Sequence, residues 1–150
     1  MSRSMEIMSR ISRFALVLLM AATASACGGD DPGTSPTPPS LGIPYSQMDL
    51  RVGTGVEALN GRRVTVDYTG WLYAAGAADN KGTQFEMGTY PYLLGGGAAI
   101  AGWERGIPGM RVGGARRLII PPELGYGPVG RGPIPGNATL VFDVELVSVQ

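Results

Sequence analysis

The end of the chain constrains its fold more than any other part of the sequence. In ATLVFDVELVSV (residues 138–149), every second residue from Leu140 to Leu146 is apolar, and the acidic residues Asp143 and Glu145 stand between them. Because successive side chains of a β-strand point to opposite faces, this pattern indicates a strand with one buried face and one polar face. Burial on one side only is typical of strands in antiparallel sheets.

Two further stretches predict strands. In RRVTVDYTGWL (residues 62–72), Val64, Val66 and Tyr68 point to one face and polar side chains point to the other. The shorter stretch ARRLIIP (residues 115–121) ends at a proline, which cannot donate a backbone hydrogen bond to a sheet.

Only one stretch has helical periodicity. In IAGWERGIPGM, apolar side chains recur at the spacing of one helical face, at Ile100, Trp103, Ile107 and Met110. The helix is expected to be short, since a glycine in a helix interior costs about 1 kcal/mol relative to alanine. We therefore predict an α+β fold, an antiparallel β-sheet of four to six strands against one short α-helix.

The composition narrows the chemistry that the chain can perform. The 150 residues include no histidine and one cysteine, and the formal net charge is zero. Without histidine the chain lacks the commonest general base and metal ligand, and a neutral balance argues against a broad nucleic-acid surface. We find no phosphate-binding loop, no Cys/His metal spacing and no Ser-His-Asp set. We expect no metal, no cofactor and no nucleic-acid partner.

The first 27 residues are predicted to be a targeting segment rather than part of the fold. Three arginines precede the apolar run FALVLLMAA (residues 14–22), which has the length of a signal-peptide core and is too short to span a bilayer. The small residues TASAC then end at the only cysteine. One interpretation is ordinary cleavage after Ala26. The other, which we favour, is a bacterial lipoprotein signal with Cys27 as the lipidated mature N-terminus, because an exposed free thiol is a liability outside the cytoplasm.

Residues 28–44 separate this segment from the folded part. Their sequence, GGDDPGTSPTPPSLGIP, consists largely of proline, serine, threonine and glycine, which is the composition of a flexible linker. A lipid anchor followed by such a tether predicts a domain held away from a membrane. The remaining residues, 45–150, are enough for one domain with a modest core.

Four blocks of the folded part occur in a distinctive order: VTVDYTGWL, GTQF, AIAGWERGIPGMRVGGARRLIIPPELGYG and IPGNATLVFDVELVSV. In sequence and spacing they resemble the FKBP-type peptidyl-prolyl cis-trans isomerases, and the resemblance covers nearly all of residues 48–149. The lipoprotein leader and the long connection YAAGAADNKGTQF resemble those of bacterial exported members. The family resemblance implies an FKBP-like fold and an enzyme that accelerates rotation about X-Pro bonds.

This reaction needs no acid, base or nucleophile. Rotation about the X-Pro bond crosses a barrier of about 18–20 kcal/mol and takes tens of seconds unassisted. Water stabilises the charge-separated planar amide more than the twisted transition state, so a dry aromatic pocket lowers the barrier. A few hydrogen bonds to substrate carbonyls then favour the twisted form.

The resemblance also implies a role for individual residues. Trp103 is expected to lie beneath the prolyl ring, with small residues nearby keeping space above it. Tyr126 would contribute its hydroxyl from a loop over the pocket, and Ile100 would offer an apolar side chain and a backbone N–H. The remaining implied wall and substrate-binding residues are Tyr68, Phe85, Phe142, Glu86, Tyr90, Ala99 and Ile134.

The sequence departs from the family pattern around the expected pocket. Glu86 follows Phe85 where the family has aspartate, and only EMGT separates Phe85 from Tyr90, where the family usually carries a longer segment. The resemblance therefore implies a shortened edge strand and one altered pocket wall. Ala98 and Ala99 replace bulkier residues, which implies a wider, less polar rim and weaker binding of macrolide inhibitors.

We therefore consider three functions. The leading hypothesis is a monomeric, membrane-tethered isomerase of the cell envelope that acts on proline-containing segments of exported proteins during folding. The alternative is a binding module that docks such segments with little or no turnover, which the short FEMGTY stretch favours. A third possibility, an envelope spacer, is disfavoured by the expected apolar pocket.

Overall fold

The computed structural model describes residues 42–150. The predicted signal segment, Cys27 and most of the predicted tether lie outside these residues. The described part contains five strands and one α-helix: β1 (Ser46–Arg51), β2 (Arg63–Tyr73), β3 (Lys81–Leu93), α1 (Ala101–Gly106), β4 (Ala115–Ile120) and β5 (Leu140–Val149). Short 3-10 turns occupy Ala78–Asn80 and Pro122–Leu124. None of the helices between residues 42 and 150 is long and apolar enough to cross a membrane.

The strands form one antiparallel sheet in the order β1-β4-β5-β2-β3. Phe142, in the central strand β5, is opposite Leu118 of β4 and Gly70 of β2. Opposed residues share a face, so the alternating patterns of the three strands add up to one apolar face. Its buried side chains are Val64, Val66, Leu118, Ile120, Leu140, Phe142, Val144 and Leu146. Burying an aliphatic or phenylalanine side chain contributes roughly 1.5–3 kcal/mol.

Helix α1 packs on β4 of this apolar face through two glycines. A Cβ atom added to Gly102 would lie 2.6 Å from the side chain of Ile120, and one added to Gly106 would lie 2.6 Å from Leu118. Only glycine permits so close an approach. The expectation that small residues keep space above Trp103 is therefore wrong for these two, because they face the sheet.

The helix is also shorter than its sequence pattern predicts. It starts after Ile100 and ends at Gly106. At its C-terminus, Arg116 Nη1 of β4 donates a hydrogen bond to the Gly106 carbonyl at 2.7 Å. This bond satisfies a carbonyl that the last turn leaves without a helical partner. Ile107 and Met110 are buried, as the pattern predicted, but they lie in the turn that follows the helix.

Both edge strands differ from expectation. β1 has no clear alternation and was not predicted, yet it pairs with β4 along its length. β3 is 13 residues long, so the shortened segment after Phe85 does not interrupt it, and the predicted long connection is a strand from Lys81 onward. The pairing with β2 shifts at Phe85, because Gly70 is opposite Glu86 while the next residue of β2 is opposite Gln84. An extra residue of this kind is a β-bulge.

The other face of the sheet carries a charged cluster centred on Asp143. Its carboxylate accepts hydrogen bonds from Arg117 Nε at 2.7 Å and Nη2 at 2.9 Å, and from Lys81 Nζ at 2.7 Å. Arg117 also pairs with Asp79 at 3.1 Å, and the Lys81 ammonium lies 4.1 Å from the centroid of the Trp71 ring. The cluster joins β3, β4, β5 and the turn before β3.

Together, the five-stranded antiparallel sheet and the single short helix α1 confirm the expected α+β fold for residues 42–150.

Candidate active site

A cavity of about 390 Å³ opens between α1, the β3 edge of the sheet and the loop between β4 and β5. Its size is within the range of small-molecule sites, about 300–1,000 Å³. Aromatic and small apolar side chains predominate in its wall, with one acidic and one basic residue. The lining residues are Tyr68, Glu86, Tyr90, Ala98, Ala99, Ile100, Trp103, Tyr126, Arg131 and Phe142.

The base of the cavity is built on Trp103, which is only 5% exposed. Its ring meets Tyr68 at a centroid distance of 5.0 Å and Phe142 at 5.3 Å, in both cases edge to face. Tyr90 approaches the same ring at 6.4 Å. The indole Nε1 has no hydrogen-bond partner among residues 42–150. The indole is therefore held by packing, and edge-to-face pairs add about 0.5–1.5 kcal/mol each beyond the buried area.

Phe85 supports this base without lining the cavity. It packs edge to face on Phe142, with ring centroids 5.5 Å apart. Gly70 makes the contact possible, because a Cβ atom there would lie 2.6 Å from Phe85 and 2.7 Å from Phe142. The bulge at Phe85 and the glycine opposite it thus fix the wall that Phe142 presents.

Two tyrosine hydroxyls face the cavity in their protonated form. Burial, followed by the nearby Glu86 carboxylate, raises the pKa of Tyr68 to about 12. Burial also raises the pKa of Tyr126, although the Arg131 guanidinium acts in the opposite direction. Both phenols are therefore neutral at physiological pH. The Tyr126 hydroxyl can donate one hydrogen bond to a ligand, whereas the Glu86 carboxylate competes for the hydrogen of the Tyr68 hydroxyl.

The rim is held by contacts between the helix and the turn before it. Glu104 of α1 accepts hydrogen bonds from the backbone N–H groups of Gly95 at 2.6 Å and Gly97 at 3.1 Å. On the other side of this turn, the Tyr90 hydroxyl donates to the Ala98 carbonyl at 3.2 Å. At the helix start, the backbone N–H of Ile100 makes no hydrogen bond to an acceptor within residues 42–150, so it is available to a ligand.

Eight of the ten site residues predicted from the sequence line the cavity. The two exceptions are Phe85, which lies behind Phe142, and Ile134, which is 5% exposed and belongs to the core. Sequence reasoning missed Arg131, the basic residue of the wall. Its signal was available, since Arg131 is the only charged residue in GYGPVGRGPIPG, the loop that carries Tyr126.

A second cavity between β1 and the turn after α1 is smaller, about 90 Å³. Three arginines contribute to its wall, Arg51, Arg111 and Arg116, and each is paired with a carboxylate. These guanidinium groups are committed to structural ion pairs. The larger, aromatic cavity is therefore the better candidate for the active site.

Comparison with known proteins agrees with the fold. The family model of FKBP-type peptidyl-prolyl cis-trans isomerase matches residues 55–147. An FK506-binding protein of Neisseria meningitidis is 45% identical over 107 residues, which are 67% of this chain and 92% of the relative. Peptidyl-prolyl cis-trans isomerase FKBP15-3 of Arabidopsis thaliana is 40% identical over 114 residues, covering 76% of this chain and 78% of the relative.

A solved structure shows the same likeness in three dimensions. The crystal structure of AtFKBP13 matches with a TM-score of 0.61 at 33% identity, covering 71% of this chain and 93% of that chain. The chain therefore belongs to the FKBP family and is an FKBP-type peptidyl-prolyl cis-trans isomerase.

Proposed function

We propose that the aromatic cavity is where the enzyme binds a prolyl residue and stabilises the twisted X-Pro amide, in polypeptides that have been exported to the cell envelope. The observation that carries this proposal is the Trp103 ring at the base of a cavity walled by Tyr68, Tyr90 and Phe142. A prolyl ring is compact, apolar and small enough to lie on an indole between such walls.

The cavity would lower the barrier by two effects. First, enclosure in an apolar wall removes the water that stabilises the planar, charge-separated amide, and this raises the ground state relative to the twisted form. Second, the free N–H of Ile100 and the protonated hydroxyl of Tyr126 can donate to the carbonyl oxygens on either side of the rotating bond. Donors that fit the twisted geometry better than the planar one stabilise the transition state selectively.

A protease-free isomerisation assay on a short X-Pro peptide tests this proposal, with the full chain as the enzyme. We expect Trp103→Leu to lose most of its kcat/KM. The matched control is Trp71→Leu, because Trp71 is the only other tryptophan of the chain and does not line the cavity. Equal activity of the two variants would contradict the assigned role of Trp103.

The second candidate function is a docking module with weak turnover. The small residues Ala98 and Ala99 in the cavity wall favour it, because small side chains leave a bound segment less enclosed by protein and more accessible to water. The two functions differ in one measurable ratio. A docking module binds the X-Pro peptide at micromolar concentration without accelerating its isomerisation, whereas an isomerase shows both effects in the same concentration range.

The proposed location rests on the sequence of residues 1–44. The run FALVLLMAA, the box ending at Cys27 and the tether in residues 28–44 support an exported, lipid-anchored protein whose domain stands off the membrane. We expect Cys27→Ser, expressed in a bacterial host, to lose acyl mass and membrane association. Ser35→Ala in the tether is the control and should keep both. If the Cys27→Ser protein still sediments with membranes and the parent carries no acyl mass, the lipoprotein assignment is wrong.

A further inference from the structure

Two charged side chains in the cavity wall have no ionic partner within residues 42–150. Glu86 on β3 and Arg131 in the loop between β4 and β5 are both exposed, and neither forms an ion pair with any residue between 42 and 150. Arg116 and Arg117 of β4 behave differently, since each is bound to a carboxylate. A positive charge is thus left available at the entrance to the candidate active site.

The backbone of Arg131 is held in one place. Its N–H donates to the Ile134 carbonyl at 2.9 Å, and the Ile134 N–H donates back to the Arg131 carbonyl at 2.9 Å. Ile134 is buried in the core, so this tight turn is anchored to the body of the domain. The turn has the flanking glycines Gly130 and Gly132 at φ +72° and +55°, a region that favours glycine. Ile134 therefore has a structural role in fixing Arg131.

The side chain is directed toward the cavity. Its guanidinium carbon lies 5.7 Å from the centroid of the Tyr126 ring, within the range of a cation–π contact. Contact with this aromatic ring in the cavity wall limits the orientations of the guanidinium. A prolyl ring on Trp103 would occupy the apolar base, so the side chains next to the proline would lie at the level of Arg131.

We infer that Arg131 is a specificity-determining residue, which favours polypeptide segments that carry an aspartate or glutamate next to the proline. Glu86 disfavours an acidic side chain near β3, so the two charges also orient such a segment with its acidic side chain toward the loop. This inference rests on the proposed use of the cavity for prolyl residues. An exposed ion pair is worth little, so the preference is expected to be roughly twofold to fivefold at low ionic strength.

The test compares peptides that differ only in the charge next to proline. Full-length enzyme is assayed without protease on two matched pairs, Asp-Pro against Asn-Pro and Pro-Asp against Pro-Asn. We expect one acidic peptide to exceed its amide partner in kcat/KM by about twofold to fivefold, and salt to reduce this ratio because it screens exposed charges. Arg131→Gln should bring the ratio to about one. Arg62→Gln removes an exposed arginine that does not line the cavity, and should keep the ratio of the parent.

The possible results distinguish failure of the specificity inference from failure of the proposed function. Ratios near one in the parent, or an unchanged ratio in Arg131→Gln, would overturn the inference while leaving isomerisation in the cavity intact. An equal loss of kcat/KM on the acidic and amide peptides would show that Arg131 acts on the substrate backbone, which also overturns it. If no peptide is isomerised at all, the proposed function fails, and the specificity inference fails with it.

Discussion

Gly102→Ala should disturb the active site through the packing of α1 on the sheet. The new Cβ atom would lie 2.6 Å from both Cδ1 and Cγ2 of Ile120. Carbon atoms in ordinary contact are about 3.5–4.0 Å apart, so the two elements must separate by roughly 1 Å. Ile120 is fully buried and β-branched, which leaves it little freedom to change rotamer. The helix is therefore the element that moves, and Trp103, the next residue, moves with it.

Two opposing contributions set the loss of stability. Overpacking in a core typically costs 1–3 kcal/mol, whereas alanine is favoured over glycine in a helix by about 1 kcal/mol. We expect a net loss of about 1 kcal/mol in the free energy of unfolding, which leaves the protein folded. The activity should fall further, because displacing a substrate-positioning residue by about 1 Å can lower a rate by as much as about a hundredfold. We expect kcat/KM to fall by about tenfold or more.

Urea unfolding and protease-free isomerisation measure the two effects on the same variant. Gly88→Ala is the stability control, since a Cβ atom there would meet nothing closer than Tyr68 at 3.8 Å, and alanine in a strand is favoured over glycine by about 0.5–1 kcal/mol. If Gly102→Ala instead raises the free energy of unfolding and keeps full activity, the close contact between α1 and β4 does not position Trp103.

Three further predictions concern the surroundings of the site. Burial raises the pKa of Asp143, but hydrogen bonds from Arg117 and then Lys81 outweigh burial and hold this pKa below its usual value. A lowered pKa in the folded state stabilises the fold at neutral pH, and this stabilisation is lost as the pH falls through the folded-state pKa. In urea titrations from pH 7 to pH 2, Asp143→Asn should therefore be less stable than the parent at neutral pH and should lose less stability in acid. Glu104→Gln weakens the two bonds to the turn before α1, so it should lower the free energy of unfolding by about 1–2 kcal/mol and raise KM more than it lowers kcat. The small rim residues Ala98 and Ala99 should give a higher calorimetric Kd for rapamycin-like macrolides than the Neisseria meningitidis FK506-binding protein shows, and an equal or lower Kd would contradict the wide rim.

The strands with one apolar face could be predicted because burial imposes a period of two on their sequence. β5 carries this period from Phe142 to Leu146 and β2 carries it from Val64 to Tyr68. Matching the two apolar faces gives their register except for the shift between Thr65 and Val66. β1 could not be predicted, because all six of its residues are exposed and its position is set by pairing with β4. Local pattern contains little information about a strand whose position is set by pairing with its neighbour and not by burial of one face.

The residues of the candidate site also differ in how well the sequence predicts them. The aromatic residues were found because the family resemblance identifies them and because Trp103 is conspicuous in a glycine-rich helix. Ile134 was placed at the rim instead of in the core, since a loop sequence does not say which residues point inward. Arg131 was missed for a related reason: its position depends on a turn closed by bonds to Ile134, and these bonds form only in the folded loop. The sequence predicts that small residues near Trp103 make room above the indole, but the space beside Gly102 and Gly106 is filled by Ile120 and Leu118 of β4.

The central claim is that a prolyl ring binds on Trp103. Trp71→Phe leaves Trp103 as the only indole of the chain, and its fluorescence can then be followed while an X-Pro peptide is added. The matched ligand is the same peptide with alanine in place of proline. The account predicts a saturable change in emission with the proline peptide, half-complete near the KM for isomerisation, and no saturable change with the alanine peptide. Isomerisation of the proline peptide with no change in Trp103 emission, or an equal change with both peptides, would contradict it.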